Sequence, residues 1–351
     1  MDLSSLWEDY GLDELQQGIE TLFPEKQVDL GKLLEQVMSG DVFGALALLF
    51  EGGVTDAINQ FLSLRDILIW LLVMGIVSSL LTHFVDIFDK RQVADISFYF
   101  MYLLFMVVLL KSFGQASEIA VQTIENVIVF VKLLVPIYLI TVGISAGTIT
   151  AAVSYQMMLI VVCGVEYILS SGLIPLINSY VMLCMVNGIW MEEKLTMMIR
   201  LVKRFIGWIL KGALGVVTGI SLFQALIAPV VDSARTSALK SFVSAIPGVG
   251  AAANGVAELV LGSAVMIRNS VGVVLLLLLL VLCAVPLLKI GLIAGMLKCA
   301  AAFMGVVSDK RLTACTDRVG EAGLLLLRTV GTAMLLFMIS IAVTAALGRG
   351  A

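Results

Sequence analysis

Long apolar stretches separated by short polar breaks make up most of this chain. Seven of these stretches are 15 to 24 residues long. About 20 apolar helical residues cross the hydrocarbon core of a bilayer, so the pattern predicts an all-α, polytopic helical membrane protein with about 8–10 hydrophobic helices. The stretches are Ile67–Leu81, Ile96–Leu110, Gly147–Leu169, Leu173–Trp190, Phe205–Ile227, Val271–Leu288 and Leu324–Leu347.

The first 66 residues have an amphipathic pattern instead. Apolar residues recur every three or four positions up to Pro24 and again from Leu30 to Val37, which is typical of helices with one apolar face. A third, more apolar piece covers Val42–Phe50. Two interpretations remain open: a small helical bundle that lies on the membrane or on the body, and a docking module for another protein.

Charge divides the chain at the same place. Residues 1–66 hold 13 of the 26 acidic side chains but 3 of the 22 basic ones. The whole chain is 14% charged, well below the value of about 25% for soluble domains. We therefore divide the chain into an acidic helical head, residues 1–66, and a multi-span membrane domain, residues 67–351.

Lysine and arginine positions predict the orientation. The richest loops lie at residues 90–91, 194–204 and 310–318, whereas the loops between them carry Lys111, Arg235 and Lys240. Since basic short loops stay in the cytoplasm, the head is expected outside it. Residues 1–5 lack the basic and apolar regions of a secretory signal, so either the first span directs insertion or an upstream signal has been removed.

A weak internal repeat favours a parallel duplication. Pro136 and Pro175 are 39 residues apart, and so are Pro247 and Pro286. The repeats would cover residues 127–228 and 238–347. Duplicated halves are common in transport proteins.

The segment Asp232–Asn269 is rich in Ser, Ala and Gly and has a turn signal at Pro247, Gly248 and Gly250. It is either a re-entrant hairpin shielded inside protein or an ordinary pair of closely packed helices. Both interpretations remain open. Small residues at this turn make it a candidate structural or functional site.

Charges inside apolar runs are the other candidates, because a charge at bilayer depth is costly and usually faces the protein interior. Glu166 and Lys211 lie deepest, and the hypothesis is that they pair inside the bundle.

The sequence has no phosphate-binding loop, no metalloprotease or serine-hydrolase motif and no Cys/His cluster. We therefore expect no enzyme activity, no metal or other cofactor and no binding of nucleic acid. Two functions remain open, a membrane subunit of a multiprotein channel and a stand-alone secondary transporter.

Several short runs between about residues 200 and 330 form a recognisable set. They include Pro229 and Asp232, the turn at residues 246–250, and Arg268 with Asn269. The full runs are Ala228–Asp232, Arg235–Thr236, Ile246–Gly250, Arg268–Gly272, Pro286–Lys289 and Ser308–Leu312. Together these runs resemble the stage III sporulation protein AE family of endospore-forming bacteria.

This resemblance implies a multi-pass protein of the mother-cell membrane around the forespore. It also implies a role in a secretion-like channel that links the two cells and is needed late in sporulation. The expected partners are the lipid bilayer and other stage III sporulation channel proteins, and self-association is an open alternative. The resemblance carries no catalytic residue to this chain.

The predicted orientation can be tested with single cysteines at Ser39 and Ser308 in a background without native cysteines. Because the head is expected outside the cytoplasm, an impermeant thiol reagent added to intact protoplasts should label Ser39→Cys and spare Ser308→Cys. The opposite labelling pattern would reverse the orientation.

Overall fold

The computed structural model describes residues 16–17, 30–50, 69–80, 91–146, 148–189, 194–244 and 250–346. Within these ranges, some helical residues are described by their backbone alone, among them residues 223–244 and 250–268. The described chain is helical apart from short turns and contains no strand, so the predicted all-α fold is confirmed.

The helices are numbered here in chain order. A π-helix, Val165–Leu173, lies between α5 and α6. The α-helices are α1 Leu30–Met38, α2 Val42–Phe50, α3 Ile69–Leu80, α4 Arg91–Ala146, α5 Thr148–Gly164, α6 Ile174–Ile189, α7 Thr196–Ser244, α8 Gly250–Val307 and α9 Lys310–Ala346.

Helices α1 and α2 match two of the predicted head segments. Gly40 separates them with φ of +87°, a left-handed conformation that glycine adopts at little cost. Asp41 then caps α2, since its Oδ1 accepts a hydrogen bond from the Gly44 N–H at 2.9 Å. Leu33 of α1 is buried, and α1 packs against α8. This contact agrees with a helical bundle that lies on the body.

Helix α4 runs without interruption for 56 residues and contains Pro136. The sequence interpretation placed Lys111 in a loop after the apolar stretch Ile96–Leu110. That placement is wrong, because the polar residues that follow this stretch continue the same helix.

Helix α5, the π-helix and α6 form a second unbroken path, which joins the stretches Gly147–Leu169 and Leu173–Trp190. The expected break at Ser170–Gly172 is absorbed by the π-helix. There the Ile174 N–H donates to the carbonyl of Leu169, five residues earlier. Two predicted spans are therefore one continuous helical path.

Helix ends next to the basic segments of the sequence meet at one end of the bundle, which we call the basic end. The Arg311 guanidinium lies 3.5 Å above the ring of Phe98, near the start of α4. The Tyr102 hydroxyl donates to the carbonyl of Met185, near the end of α6, at 2.7 Å. Tyr102 also contacts Cys315 near the start of α9. Helices α4 and α9 therefore both start at this end, and α6 finishes there.

The opposite end is marked by Gly272 of α8. A Cβ added there would lie 3.1 Å from the Tyr138 hydroxyl of α4 and 3.2 Å from the Ala345 methyl of α9. Helix α8 therefore runs back toward the basic end, antiparallel to α4 and α9.

Helices α8 and α9 pack most closely where both present small residues. A Cβ at Gly323 would lie 2.8 Å from Cβ and 3.2 Å from Cα of Ala294, and one at Gly320 would lie 3.2 Å from the Lys298 backbone nitrogen. Such spacing brings two backbones together, as is common in membrane bundles. The buried core around this pair contains Leu297, Ile290, Leu326, Val330 and Phe337.

Four helical segments of the described chain are long and apolar enough to cross a membrane. Each has 36 to 39 residues, about 54–58 Å of helix, so part of each extends beyond a hydrocarbon core about 30 Å thick. The predicted span Phe205–Ile227 lies on α7, where several side chains from residue 221 onward fall outside the description. The four segments are Ile96–Leu133, Ala151–Ile189, Asn269–Val306 and Lys310–Ala345.

The contacts between α8 and α9 locate the part that fits a bilayer. Two contacts bound this part: Gly323 against Ala294, and Gly272 against Ala345. They are separated by about 22 residues along each helix, or about 33 Å. Within these bounds α8 and α9 carry one charge each, Lys289 and Arg328, both within about two turns of the basic-end edge, where they can snorkel. We call residues 272–294 and 323–345, with everything at the same depth, the apolar layer.

We expect Gly323→Ala to destabilise the bundle by about 1–3 kcal/mol, because the new methyl group overpacks the contact with Ala294. Gly331→Ala is the matched control on the same helix, since a Cβ there meets nothing within 4 Å. Thermal unfolding of the purified proteins in one detergent measures the difference. Equal unfolding midpoints would show that α8 and α9 are farther apart than described.

Candidate functional site

One face of α4 is polar and exposed over about four turns. Its polar members are Lys111, Gln115, Glu118, Gln122 and Glu125, and all five are exposed. Their spacing of three or four residues aligns them along the helix. We call this surface the polar face. The residues between its members, such as Ala116, Ala120 and Ile124, are buried and hold α4 against the bundle.

The depth of the polar face follows from the contact between Tyr102 and Cys315. From this contact α4 and α9 run in the same direction, and about 20 residues along both helices, about 30 Å, lead to Gln122 and Leu335. Leu335 is near the middle of the apolar layer. The polar face therefore lies at the depth of the hydrocarbon core.

The apolar stretch of α4 is thus shifted along the bundle relative to the apolar stretches of α8 and α9. Its most apolar exposed residues, including Phe100, Leu103 and Val107, lie at the depth of the charged start of α9, and its polar face lies where α8 and α9 are apolar. A charged residue at the centre of a membrane helix costs about 2.5–3.5 kcal/mol on insertion scales. The polar face is consequently unsuited to lipid contact.

Other surfaces at this depth suit lipid. Apolar side chains are exposed there on the π-helix, on α7 and on α9: Ile168, Val216, Leu222 and Leu335. The polar face therefore marks one particular side of the bundle.

A cleft of about 550 Å³ extends the polar face toward α6. Most of its lining is apolar, and its polar lining side chains include Glu118 and Gln122 of α4 and Asn178 of α6. The Ser117 hydroxyl donates to Asn178 Oδ1 at 3.1 Å and ties the two helices together. Since several lining residues are exposed, the cleft opens on the outside of the bundle rather than into its core.

An ion pair continues this polar surface along α4. Lys132 Nζ lies 3.0 Å from Glu166 Oε2 in the π-helix, with half of each side chain exposed. The hypothesis that Glu166 pairs with Lys211 is therefore wrong. Lys211 is exposed on α7. Sequence separation carried no information on which basic residue would lie opposite Glu166.

A second polar cluster joins three helices nearer the basic end. The Tyr180 hydroxyl of α6 donates to Glu321 Oε2 of α9 at 3.0 Å, and Lys203 of α7 forms an ion pair with the other oxygen of this carboxylate. Tyr180 is fully buried, so its hydroxyl needs such a partner. This cluster holds the three helices in position, and its side chains bond to one another.

Tyr102 holds α4 to α6 in a comparable way. Its hydroxyl bonds to the Met185 carbonyl, and a Cβ at Gly188 would come far too close to this hydroxyl. Asn187 closes the next turn, since its Oδ1 accepts from the Leu195 N–H at 2.8 Å. These contacts are structural and leave no space for a ligand between the residues that make them.

Most of the remaining predicted site residues belong to the last part of α7, to the first part of α8 or to the segment between these helices. Pro247 and Gly248 are outside the described residues, and Gly250 is the first residue of α8. Asn269 is half-buried in α8. Both open interpretations of the segment Asp232–Asn269 place a helix on each side of the turn, as observed. The turn itself lies outside the described residues. The side chains of Pro229, Asp232 and Arg268 also lie outside the description.

Hydropathy alone missed the polar face. Residues 111–126 interrupt the apolar pattern, which made them resemble a loop after a span. Their three- and four-residue spacing is the signal that indicates a helix with one exposed polar side.

Among the described residues, no three His, Cys, Asp or Glu side chains come together as a metal site would require. Cys184, Cys283 and Cys315 are buried, whereas Cys163 and Cys299 are exposed. The polar face exposes carboxylates, amides and an ammonium group. What this arrangement provides is an exposed polar surface at the depth of the apolar layer.

Four candidate crossings, apolar outer surfaces and a charged basic end define a polytopic helical membrane protein. The model of one family, stage III sporulation protein AE, matches residues 28–348. The chain belongs to this family and is therefore a sporulation protein.

A curated relative is similar over nearly the same region. It is the stage III sporulation protein AE of Bacillus subtilis (strain 168), 22% identical over 330 residues, which cover 93% of this chain and 82% of the relative. No solved structure matches the chain. The family carries no catalytic name, which points away from catalysis.

We expect Lys132→Leu and Glu166→Leu each to lower the amount of folded protein, because each leaves one charge unpaired at membrane depth. The double variant should recover much of this loss. Lys211→Leu is the control, and its effect should simply add to that of Glu166→Leu. Folded protein is measured by size-exclusion chromatography of detergent extracts, and additive losses for Lys132 and Glu166 would contradict the pairing.

Proposed function

We propose that this chain is a membrane subunit of a multiprotein, secretion-like channel between mother cell and forespore, required late in sporulation. It would reside in the mother-cell membrane around the forespore, with its head outside the cytoplasm. Its partners would be other stage III sporulation membrane proteins. The family and the multi-pass architecture support the sporulation and membrane parts of this proposal.

The observation that carries the channel role is the outward-facing polar face. A stand-alone transporter usually binds its substrate near the midplane between its own helices. Here the cleft between α4 and α6 opens on the outside of the bundle, at a depth where α7 and α9 expose apolar side chains such as Val216, Leu222 and Leu335. Such a surface is complete only when further chains cover it, which favours a subunit over an independent transporter.

The basic end supports the proposed orientation. Arg311 on Phe98 and Tyr102 on Met185 bring the starts of α4 and α9 and the end of α6 together at one end of the bundle, as the proposed orientation requires of the basic segments next to them. Basic loops favour the cytoplasm.

We expect an affinity-tagged copy, purified in mild detergent from sporulating cells, to bring down other stage III sporulation membrane proteins in fixed ratios. The control is the same tagged chain expressed in growing cells, where these proteins are not made. Mass spectrometry identifies the proteins. Recovery of the chain alone, from cells in which it supports sporulation, would favour an independent transporter.

A further inference from the structure

We infer that the polar face of α4 lines a water-filled passage across the membrane, which further chains complete. This inference rests on the proposed function, because a single bundle supplies one side of such a passage. It goes beyond that function by assigning the lining to particular residues.

The first step is depth. Lys111 lies near the basic-end edge of the apolar layer, and Glu118, Gln122 and Glu125 follow toward its middle, as the parallel course of α4 and α9 from Tyr102 and Cys315 shows. Four polar residues on one side of one helix cover much of the layer. A scattered charge could snorkel to an edge, but a row that reaches the middle cannot.

The second step is the width of the surface. Asn178 of α6 and Glu166 of the π-helix lie beside α4, held by Ser117 and Lys132 respectively. Polar groups from two neighbouring helical paths therefore flank the polar face. Its exposed groups include both charges, which suits water and small hydrophilic solutes better than an ion of one sign.

The third step excludes lipid. At the depth of Gln122, the exposed side chain on α9 is Leu335, and α7 exposes Val216 and Leu222. The sides of the bundle formed by α7 and α9 therefore suit contact with lipid. Charged residues in membrane proteins face a bundle interior or a water-filled cavity, and these residues do not face their own bundle interior.

The test uses single cysteines in a chain whose five native cysteines are replaced and which still supports sporulation. Glu118→Cys, Gln122→Cys and Glu125→Cys probe the polar face, and Leu335→Cys is the control at matched depth. A small, charged, membrane-impermeant methanethiosulfonate reagent is applied to right-side-out and to inverted membrane vesicles from sporulating cells. Because the reagent attacks the hydrated thiolate, the three polar-face positions should react about tenfold or more faster than Leu335→Cys.

Labelling from both sides of the membrane is the expected result. Labelling from one side alone would reduce the passage to a closed cleft and overturn the inference. Rates equal to that of Leu335→Cys, in protein that still co-purifies with its partners, would also overturn it while leaving the proposed function intact. Failure of co-purification tests the proposed function separately.

Discussion

The close contact between α8 and α9 is the constraint on which the rest of the bundle depends. Gly323 faces Ala294 with no room for a side chain, and Gly320 faces the backbone at Lys298. Contacts this short fix how far one helix can slide along the other. Because α4 meets α9 at Tyr102 and α8 at Tyr138, the same contact also sets the depth of every group on α4.

Polar contacts then select one arrangement of the helices, which apolar packing in a membrane does not do. Lipid is as apolar as leucine, so burial alone does not select one helix arrangement over another. Tyr180 and Glu321 select the position of α6 against α9, and Lys203 adds α7 to the same carboxylate. The polar face of α4 has no comparable function within the bundle, since its side chains are exposed.

The sequence predicted the parts of this structure that depend on local patterns. Helices α1 and α2 and the all-α membrane fold follow from periodicity and hydropathy. The partner of Glu166 could not be predicted, because it depends on how α4 lies against the π-helix. The polar face escaped notice because a hydropathy reading treats Lys111–Glu125 as an interruption, and depth becomes visible only through contacts between helices. The orientation of the head and the internal duplication stay predictions.

The π-helix Val165–Leu173 sets how far α6 is rotated about its axis relative to α5. A π-turn holds more residues than an α-turn, so rewinding residues from the π form to the α form rotates everything beyond them about the helix axis. Asn178 lies beyond this segment and Glu166 lies inside it. Tightening the π-helix into α-helix would turn Asn178 away from Ser117 without unfolding either flank. The winding of this one segment therefore decides which face α6 turns toward α4, and with it which side chains meet Ser117 across the cleft.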